Sequence, residues 1–482
     1  MFYDIIIIGG GISGIYTLYK LSQKNPKLKI LLLEKNKKLG GRISTYKDQY
    51  MTLEEGSGRF SDSHELFINL LNELKLQHRI RKSSSNVVFM PSGNRGNILK
   101  IYDAPLKTNP SFLETLADPL LNYGLDLLFD ENSLPCTRLI AKVVIESKFD
   151  NKEVLQKQTF LQYASKVLDK NQIKFIWDCF GYSNELSIMN AYDCISLMNT
   201  LSPMNQFYFL KGGLSEVIER MVDVIKKNKN IVIMTRMNVL NIKQSRQTLS
   251  SVTSEFIIKV FVGEVESLRR ETLKMTQESK EFKKDCRRGE YEEYKCNKVI
   301  CALPKEALEK LDILEPIRTK WLEKVNSGTL CRIYSRFNKD KNGKYWFQDL
   351  PKFTTNNSLR MVIPYNTDTG VIMISYSDGE YADSWQQLYK EKGLSALEER
   401  LKILIKESTG ISIPNPRSTR IFYWKHGVGY WGLGADSKMV AEKILKPFSN
   451  MDLYICGENY SEKYQQWMEG ALDTSTKIID MI

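Results

Sequence analysis

Tyr3-Asp4-Ile5-Ile6-Ile7-Ile8-Gly9-Gly10-Gly11-Ile12-Ser13-Gly14 opens a stretch that closes at Leu28-Lys29-Ile30-Leu31-Leu32-Leu33-Glu34. Tyr3 to Ile8 is a short, mostly apolar run suited to a buried parallel strand. Glycines interrupt it, and Ile12, Ile15, Leu18 and Leu21 then fall near one face of a helix that stops near Asn25-Pro26. Leu28 to Leu33 reads as a second buried strand ending at Glu34, which completes a βαβ unit. Gly9 to Gly14 fits GxGxxG: Gly9 permits the tight turn, Gly11 lets the backbone approach a pyrophosphate, and Gly14 lets helix and strand pack closely. The helix N-terminus that follows is a natural anion site. Glu34 comes 20 residues after Gly14, where a carboxylate accepts hydrogen bonds from ribose hydroxyls. Strand, helix, strand and acid together point to dinucleotide binding.

Two further stretches favour FAD over NAD. Leu39-Gly40-Gly41-Arg42 places a second glycine pair beside an arginine, suited to wrapping a diphosphate from its other side. Far downstream, Leu453 to Cys456 is a buried strand followed by Gly457-Glu458, and Trp467-Met468-Glu469-Gly470-Ala471 opens a final helix. A helix N-terminus there suits the negative charge of a reduced flavin ring.

Between these ends, Ser61 to about Ser202 is mostly helical, with Phe67, Leu70, Leu71 and Leu74 on one face. Strands are expected at 231–234, 255–262, 298–303, 329–337, 359–364 and 370–376, and helices near 315–325 and 394–408. Residues 264–295, dense in Lys, Arg and Glu, read as a solvated insertion. Gly427-Val428-Gly429-Tyr430-Trp431-Gly432 also fits GxGxxG but lacks the βαβ context, and reads as a substrate-pocket loop rather than a second nucleotide site.

With 482 residues, more than one core is expected. A 26% share of charged residues excludes a membrane-embedded chain, and a 42% apolar share excludes a disordered one. The net charge of +12 is spread along the chain without a basic stripe, so no nucleic-acid partner is expected. Eight cysteines without a CxxC pair and only three histidines give no basis for a metal site. Neither a signal peptide nor an apolar run of membrane-spanning length is visible, so a cytoplasmic protein without a membrane partner is expected.

The Gly9–Gly14 motif, the Leu39–Arg42 turn and the Gly457-Glu458 and Trp467–Ala471 ending resemble those of the flavin-containing amine oxidases, which include monoamine, polyamine and L-amino-acid oxidases. Glu54-Glu55-Gly56-Ser57-Gly58-Arg59-Phe60, Gly212-Gly213, Val239 and Val299 to Pro304 agree in order. The resemblance implies an α/β fold: a Rossmann-like FAD-binding domain built from discontinuous segments (1–62, 206–313 and 446–482), with an interleaved α+β substrate domain (63–205 and 314–445). It implies Gly9, Gly11, Ser13 and Gly14 at the pyrophosphate and Glu34 at the adenosine ribose. Gly41, Arg42 and Gly56 would contact the flavin's linker or ring, Val239 would pair its backbone with adenine, Gly457 and Glu458 would meet the phosphates and ribityl chain, and Met468 would lie beside the flavin ring. FAD is expected to be noncovalent.

The family places an aromatic wall before the flavin at Trp467, with Tyr430 or Trp431 as candidates for a second; facing rings favour a neutral amine and aim its C–H bond. Arg59 matches the arginine that L-amino-acid oxidases use for the substrate carboxylate, a task suited to a bidentate guanidinium, although arginine there also serves the flavin. The family's usual lysine near flavin N5 is matched by Arg332, which keeps the charge but cannot become a neutral amine. The implied reaction is hydride transfer from the α-carbon of an amine or amino acid to flavin N5, giving an imine, with molecular oxygen as acceptor and hydrogen peroxide as product. A desaturase or oxidase of a non-amine substrate, and a non-catalytic FAD-containing binding protein, are the alternatives.

Overall fold

A computed structural model describes residues 2–83, 87–93, 136–200, 206–245, 255–263 and 290–482. The opening unit forms as β1 (Phe2–Ile8), α1 (Ile12–Lys24) and β2 (Ile30–Glu34). β1 and β2 run parallel, Ile5 opposite Ile30 and Ile8 opposite Leu33, and β2 is buried along its whole length. Such strands have no polar face to show to water, so both faces must be covered.

The rest of the sheet comes from distant sequence. Glu290–Cys301 joins β1 in parallel, and Ile231–Thr235 joins β2 in parallel. The outer side of Glu290–Cys301 takes Leu453–Ile455 in parallel at one end and Phe256–Val262 antiparallel along the other. Met237–Gln244 is the edge strand on this side of the seven, and Ile231–Thr235 ends the sheet on the other. One face packs α1 (Ile15, Leu18, Leu21) with Val217 and Met221 of the helix Ser215–Ile225 and Leu472 and Ile478 of the last helix, Met468–Met481. The other face packs Ile6, Ile8, Leu31 and Leu33 among Val299, Trp431, Val440 and Ile444.

A second, six-stranded sheet runs in the order Ser418–Trp431, Val325–Arg336, Val371–Asp378, Met361–Asn366, Lys352–Thr354, Val87–Phe89. Cys331, Ile333, Phe353, Val362 and Ile374 form a core with Trp385, Leu401 and Leu404 of the helix Gly379–Thr409. Strand alternation therefore turns Arg332, Tyr376 and Met361, which are neighbours across three strands, to the opposite face. Short helices between 137 and 200 make a separate core. Two of them begin with capping boxes, Thr159 with Gln162 and Asp169 with Gln172, in which each end of the motif satisfies the other's orphan backbone N–H.

Several expectations are corrected. Residues 290–295 of the expected insertion belong to a strand paired with Phe256–Val262, while 264–289 lie outside the described residues. The Gly427–Trp431 segment is strand rather than loop, paired to Val325–Gly328. Near 315–325 the helix is only Glu315–Arg318, and Val325 already begins a strand. The helix expected at 394–408 is the second half of a longer one, broken at Gly393, whose φ of +77° interrupts the helical path. Part of the expected helical region, 94–135, also lies outside the described residues.

Candidate active site

At the carboxyl end of β1 the first glycine motif turns into α1. Gly9 has φ +106°, and a Cβ there would stand 2.3 Å from the Ala302 carbonyl oxygen. A Cβ on Gly14 would stand 2.0 Å from the carbonyl oxygen of Gly9. These two are glycine because the chain itself leaves no room. Gly11 differs: its φ is an ordinary −73°, and a Cβ on it would meet no atom within 4 Å. As N-cap of α1 it offers no side chain to the helix's first N–H groups, which leaves them for an anion. The hydroxyl of Ser13 turns to the Ala471 carbonyl at 3.4 Å, so what Ser13 can offer a phosphate is its backbone N–H. Glu34 is buried and accepts from the Gly10 N–H at 2.7 Å and from the backbone and side chain of Asn36 at 2.8 Å each.

The Leu39–Arg42 turn docks onto this loop. Gly40 donates to the Gly10 carbonyl at 2.8 Å, and Gly41 approaches Gly11. Arg42 then reaches the other end of the chain, pairing with the buried carboxylate of Glu458 and donating to the Gly427 carbonyl at 3.1 Å. Glu458 also accepts from the Gln466 N–H at 2.8 Å. The Arg42 carbonyl accepts from Ser57 N–H at 3.0 Å, beside Gly56. Gly457 donates to Thr474 Oγ1 at 3.0 Å, tying its turn to the last helix, of which Met468 is the first residue. Glu469 caps another helix, accepting from the Leu66 and Phe67 N–H groups at 2.9 Å. Val239 lies on the edge strand, next to an irregularity in its pairing.

Trp467 stands half-buried just before the last helix. Its ring stacks on Phe207 (centroids 5.8 Å apart, 18° between planes) and meets the edge of His64 at 4.9 Å. The Arg59 guanidinium lies over both rings, 4.5 Å from the Phe207 centroid and 5.8 Å from that of Trp467. Its Nη2 donates to the Tyr182 hydroxyl at 3.4 Å, and among the described residues no carboxylate forms an ion pair with it. Tyr182 continues the line, meeting Tyr376 edge-on at 5.6 Å, and Arg332 lies 4.7 Å from the Tyr376 ring centroid. Arg332 donates to the Glu54 carbonyl at 3.2 Å and sits against Gly58, within the segment that carries Arg59. Trp467, Arg59 and Arg332 are thus brought to one site through Phe207, Tyr182 and Tyr376.

Neither Tyr430 nor Trp431 forms a ring contact with Trp467, although Tyr430 lies near enough to Glu185 and Tyr376 to feel their charge. Tyr430 is fully buried in the core of the short helices. Trp431 is fully buried beneath the first sheet and donates to the Ser461 carbonyl at 3.2 Å. The rings in direct contact with Trp467 are Phe207 and His64, which carried no expectation from the sequence. Phe207 was hidden in an ordinary aromatic strand pattern, and His64 carried no motif.

Burial perturbs several acids and bases here. It pushes Glu54 up to about 7 despite hydrogen bonds from Leu214 and Thr45. Glu185, buried with Oε2 unpaired, rises to about 8 through burial and then the neighbouring Asp378. His64 falls to about 4, so its ring is neutral, and its Nδ1 accepts from the Ser61 N–H. Lys352 falls to about 7 through burial and then the positive charge of Arg59.

Residues 12–477 match the family model for flavin-containing amine oxidoreductases. The chain belongs to that family. Among its relatives, an uncharacterised protein of Acanthamoeba polyphaga mimivirus is 22% identical, covering 99% of this chain and 93% of that one. A coproporphyrinogen III oxidase of Staphylococcus aureus (strain NCTC 8325 / PS 47) is 24% identical, covering 54% of this chain and 59% of the other. A redesigned putrescine oxidase has the same fold, with a TM-score of 0.66 at 14% identity over 100% of this chain and 98% of that one.

As a flavin-containing amine oxidoreductase, the chain is an FAD-dependent enzyme, and its residues fit that cofactor. The uncapped N-terminus of α1 and the space in front of Gly11 would receive the pyrophosphate, and the acid at the end of β2 would meet the ribose. α1 and the last helix lie side by side, with Ser475 Oγ donating to the Ser13 carbonyl at 3.2 Å. Among the described residues no helix is long and apolar enough to cross a membrane.

Proposed function

We propose that the enzyme oxidises the carbon–nitrogen bond of an amino acid or related amine, with Arg59 holding the substrate carboxylate. The observation that carries this reading is the half-buried Arg59 guanidinium, laid over Phe207 and Trp467 with a tyrosine hydroxyl but no carboxylate partner among the described residues. A cation kept partly out of water without a counter-ion is costly, and a bound carboxylate relieves that cost. Phe207 and Trp467 offer flat apolar surface beside it, which excludes water and restricts how a substrate lies. Bound FAD, held noncovalently, supplies hydride acceptance and, with molecular oxygen as the second substrate, release of hydrogen peroxide. No acid–base dyad is assigned: Glu54 is turned to Leu214 and Thr45, and His64 is engaged by Ser61.

A second reading is oxidation of a ring or carbon–carbon substrate, favoured by Arg332. This permanently charged group stands where the resemblance expects lysine, and one relative is a coproporphyrinogen III oxidase. Anaerobic titration of the yellow holoenzyme separates the two. Bleaching of the visible flavin band by an amino acid, weakened in Arg59→Met, supports the first reading. Bleaching only by non-amines overturns it in favour of the second.

A further inference from the structure

Lys352 belongs to no motif, yet its position is unusual for a lysine. It begins the strand Lys352–Thr354, whose next residue, Phe353, is buried in the core against the helix Gly379–Thr409. Alternation turns Lys352 to the other face, the one that carries Arg332, Tyr376 and Met361. Thr354 pairs with Met361, and Met361 Sδ accepts from the Tyr182 hydroxyl at 3.8 Å, the same hydroxyl that Arg59 Nη2 reaches at 3.4 Å. Lys352 is therefore two residues along its strand from Thr354, which lies opposite Met361 on the neighbouring strand, and the Arg59 charge acts on it.

Burial and the Arg59 charge hold Lys352 partly uncharged near neutrality. Among the described residues no carboxylate forms an ion pair with Lys352 or with Arg59. The acid that the Arg59 charge does reach, Glu185, is held largely protonated near neutrality by burial and by Asp378. Like charges brought together away from bulk water repel, and the arrangement is stabilised when an anion enters between them. Lysine suits such a second contact, as a point charge on a flexible stem that accepts an anion from a range of directions.

We propose that Lys352 is the second half of a two-cation subsite with Arg59, so that the substrate carries a second acidic group, such as another carboxylate, beyond the one that Arg59 holds. This rests on the reading of Arg59 as a carboxylate anchor but not on the oxidation of a carbon–nitrogen bond.

The experiment is accordingly a binding one, made on oxidised holoenzyme with ligands that cannot be oxidised as amines. Perturbation of the flavin spectrum is titrated with the dicarboxylates succinate, glutarate and adipate and with the monocarboxylates butyrate, pentanoate and hexanoate. At least one dicarboxylate is expected to bind tenfold or more tightly than the monocarboxylate nearest it in length. Lys352→Met removes that advantage and leaves monocarboxylate binding unchanged, Lys352→Arg retains it, and Arg59→Met weakens both classes. If Lys352→Met fails to fold, Lys352→Gln takes its place, and the flavin-to-protein ratio reports its integrity. Equal binding of the two classes by the wild-type enzyme, or a dicarboxylate advantage that survives loss of Lys352, overturns the proposal. Dicarboxylate binding that depends on Lys352, in an enzyme that no amine reduces, upholds this subsite while refuting amine oxidation.

Discussion

The glycines of the first motif separate two requirements that sequence alone runs together. Gly9 and Gly14 are demanded by the fold, because any side chain there would collide with backbone carbonyls. Gly11 is demanded by no contact among the described residues. Gly11→Ala is therefore expected to leave the melting temperature of the apoprotein unchanged while weakening FAD at least tenfold, about 1.4 kcal/mol. Gly14→Ala is expected to destabilise the apoprotein itself. Thermal melts without cofactor and a titration with FAD check both, and a Gly11→Ala protein that binds FAD as tightly as wild type would remove Gly11 from the phosphate cradle. Arg59 and Arg332 share an environment. Both are cations on aromatic rings, with no ion-pair partner among the described residues.

Among the elements, the turn at 39–42 is the clamp between the two ends of the sequence, and the Arg42–Glu458 pair is its charged contact. Arg42→Met strands the carboxylate of Glu458, which is only 7% exposed, and is expected to cost on the order of 2 kcal/mol, since Arg42 itself keeps some solvent. Adding Glu458→Gln should recover part of the loss, because a neutral amide needs no cation. Melting temperatures of the two variants test this, and a single variant as stable as wild type contradicts it. The elements best legible in the sequence were those with local signals. β1, α1, β2, the strand at 453 and the last helix all carried periodicity together with glycine punctuation. Position across the sheets was not legible. Nothing local says that Phe207 stacks on Trp467, or that Tyr430, three residues after a glycine in a promising motif, is buried in a different core. The strand at 290–295 was concealed for another reason: its charged residues lie on an exposed extension of the sheet, where β-pairing tolerates them and hydrophobic patterning vanishes.

For the whole molecule, three buried acids give stability a pH dependence opposite in sense to that of ordinary ion-paired carboxylates. Glu54, Glu185 and Asp193 are raised by burial to about 7, 8 and 6, so the folded chain holds protons that the unfolded chain releases above its ordinary carboxyl range near 4.5. That stabilisation is complete below about pH 4.5 and is lost as pH rises through the folded values toward 8. His64, lowered to about 4, works against it: its share is present above pH 6.5 and is lost as pH falls toward 4. Glu185→Gln is expected to leave the melting temperature at pH 5 unchanged and to raise it at pH 8 by at least ~2 °C relative to wild type. Identical melting curves at pH 8 would show that Glu185 carries no such proton. The packing of Ser475 on Ser13, 462 residues apart, has a consequence in time as well as space. At roughly 5–20 residues per second, a ribosome that has made the first helix needs about half a minute or more to deliver its companion. During that interval β1, α1 and β2 wait without the later strands that flank them in the sheet.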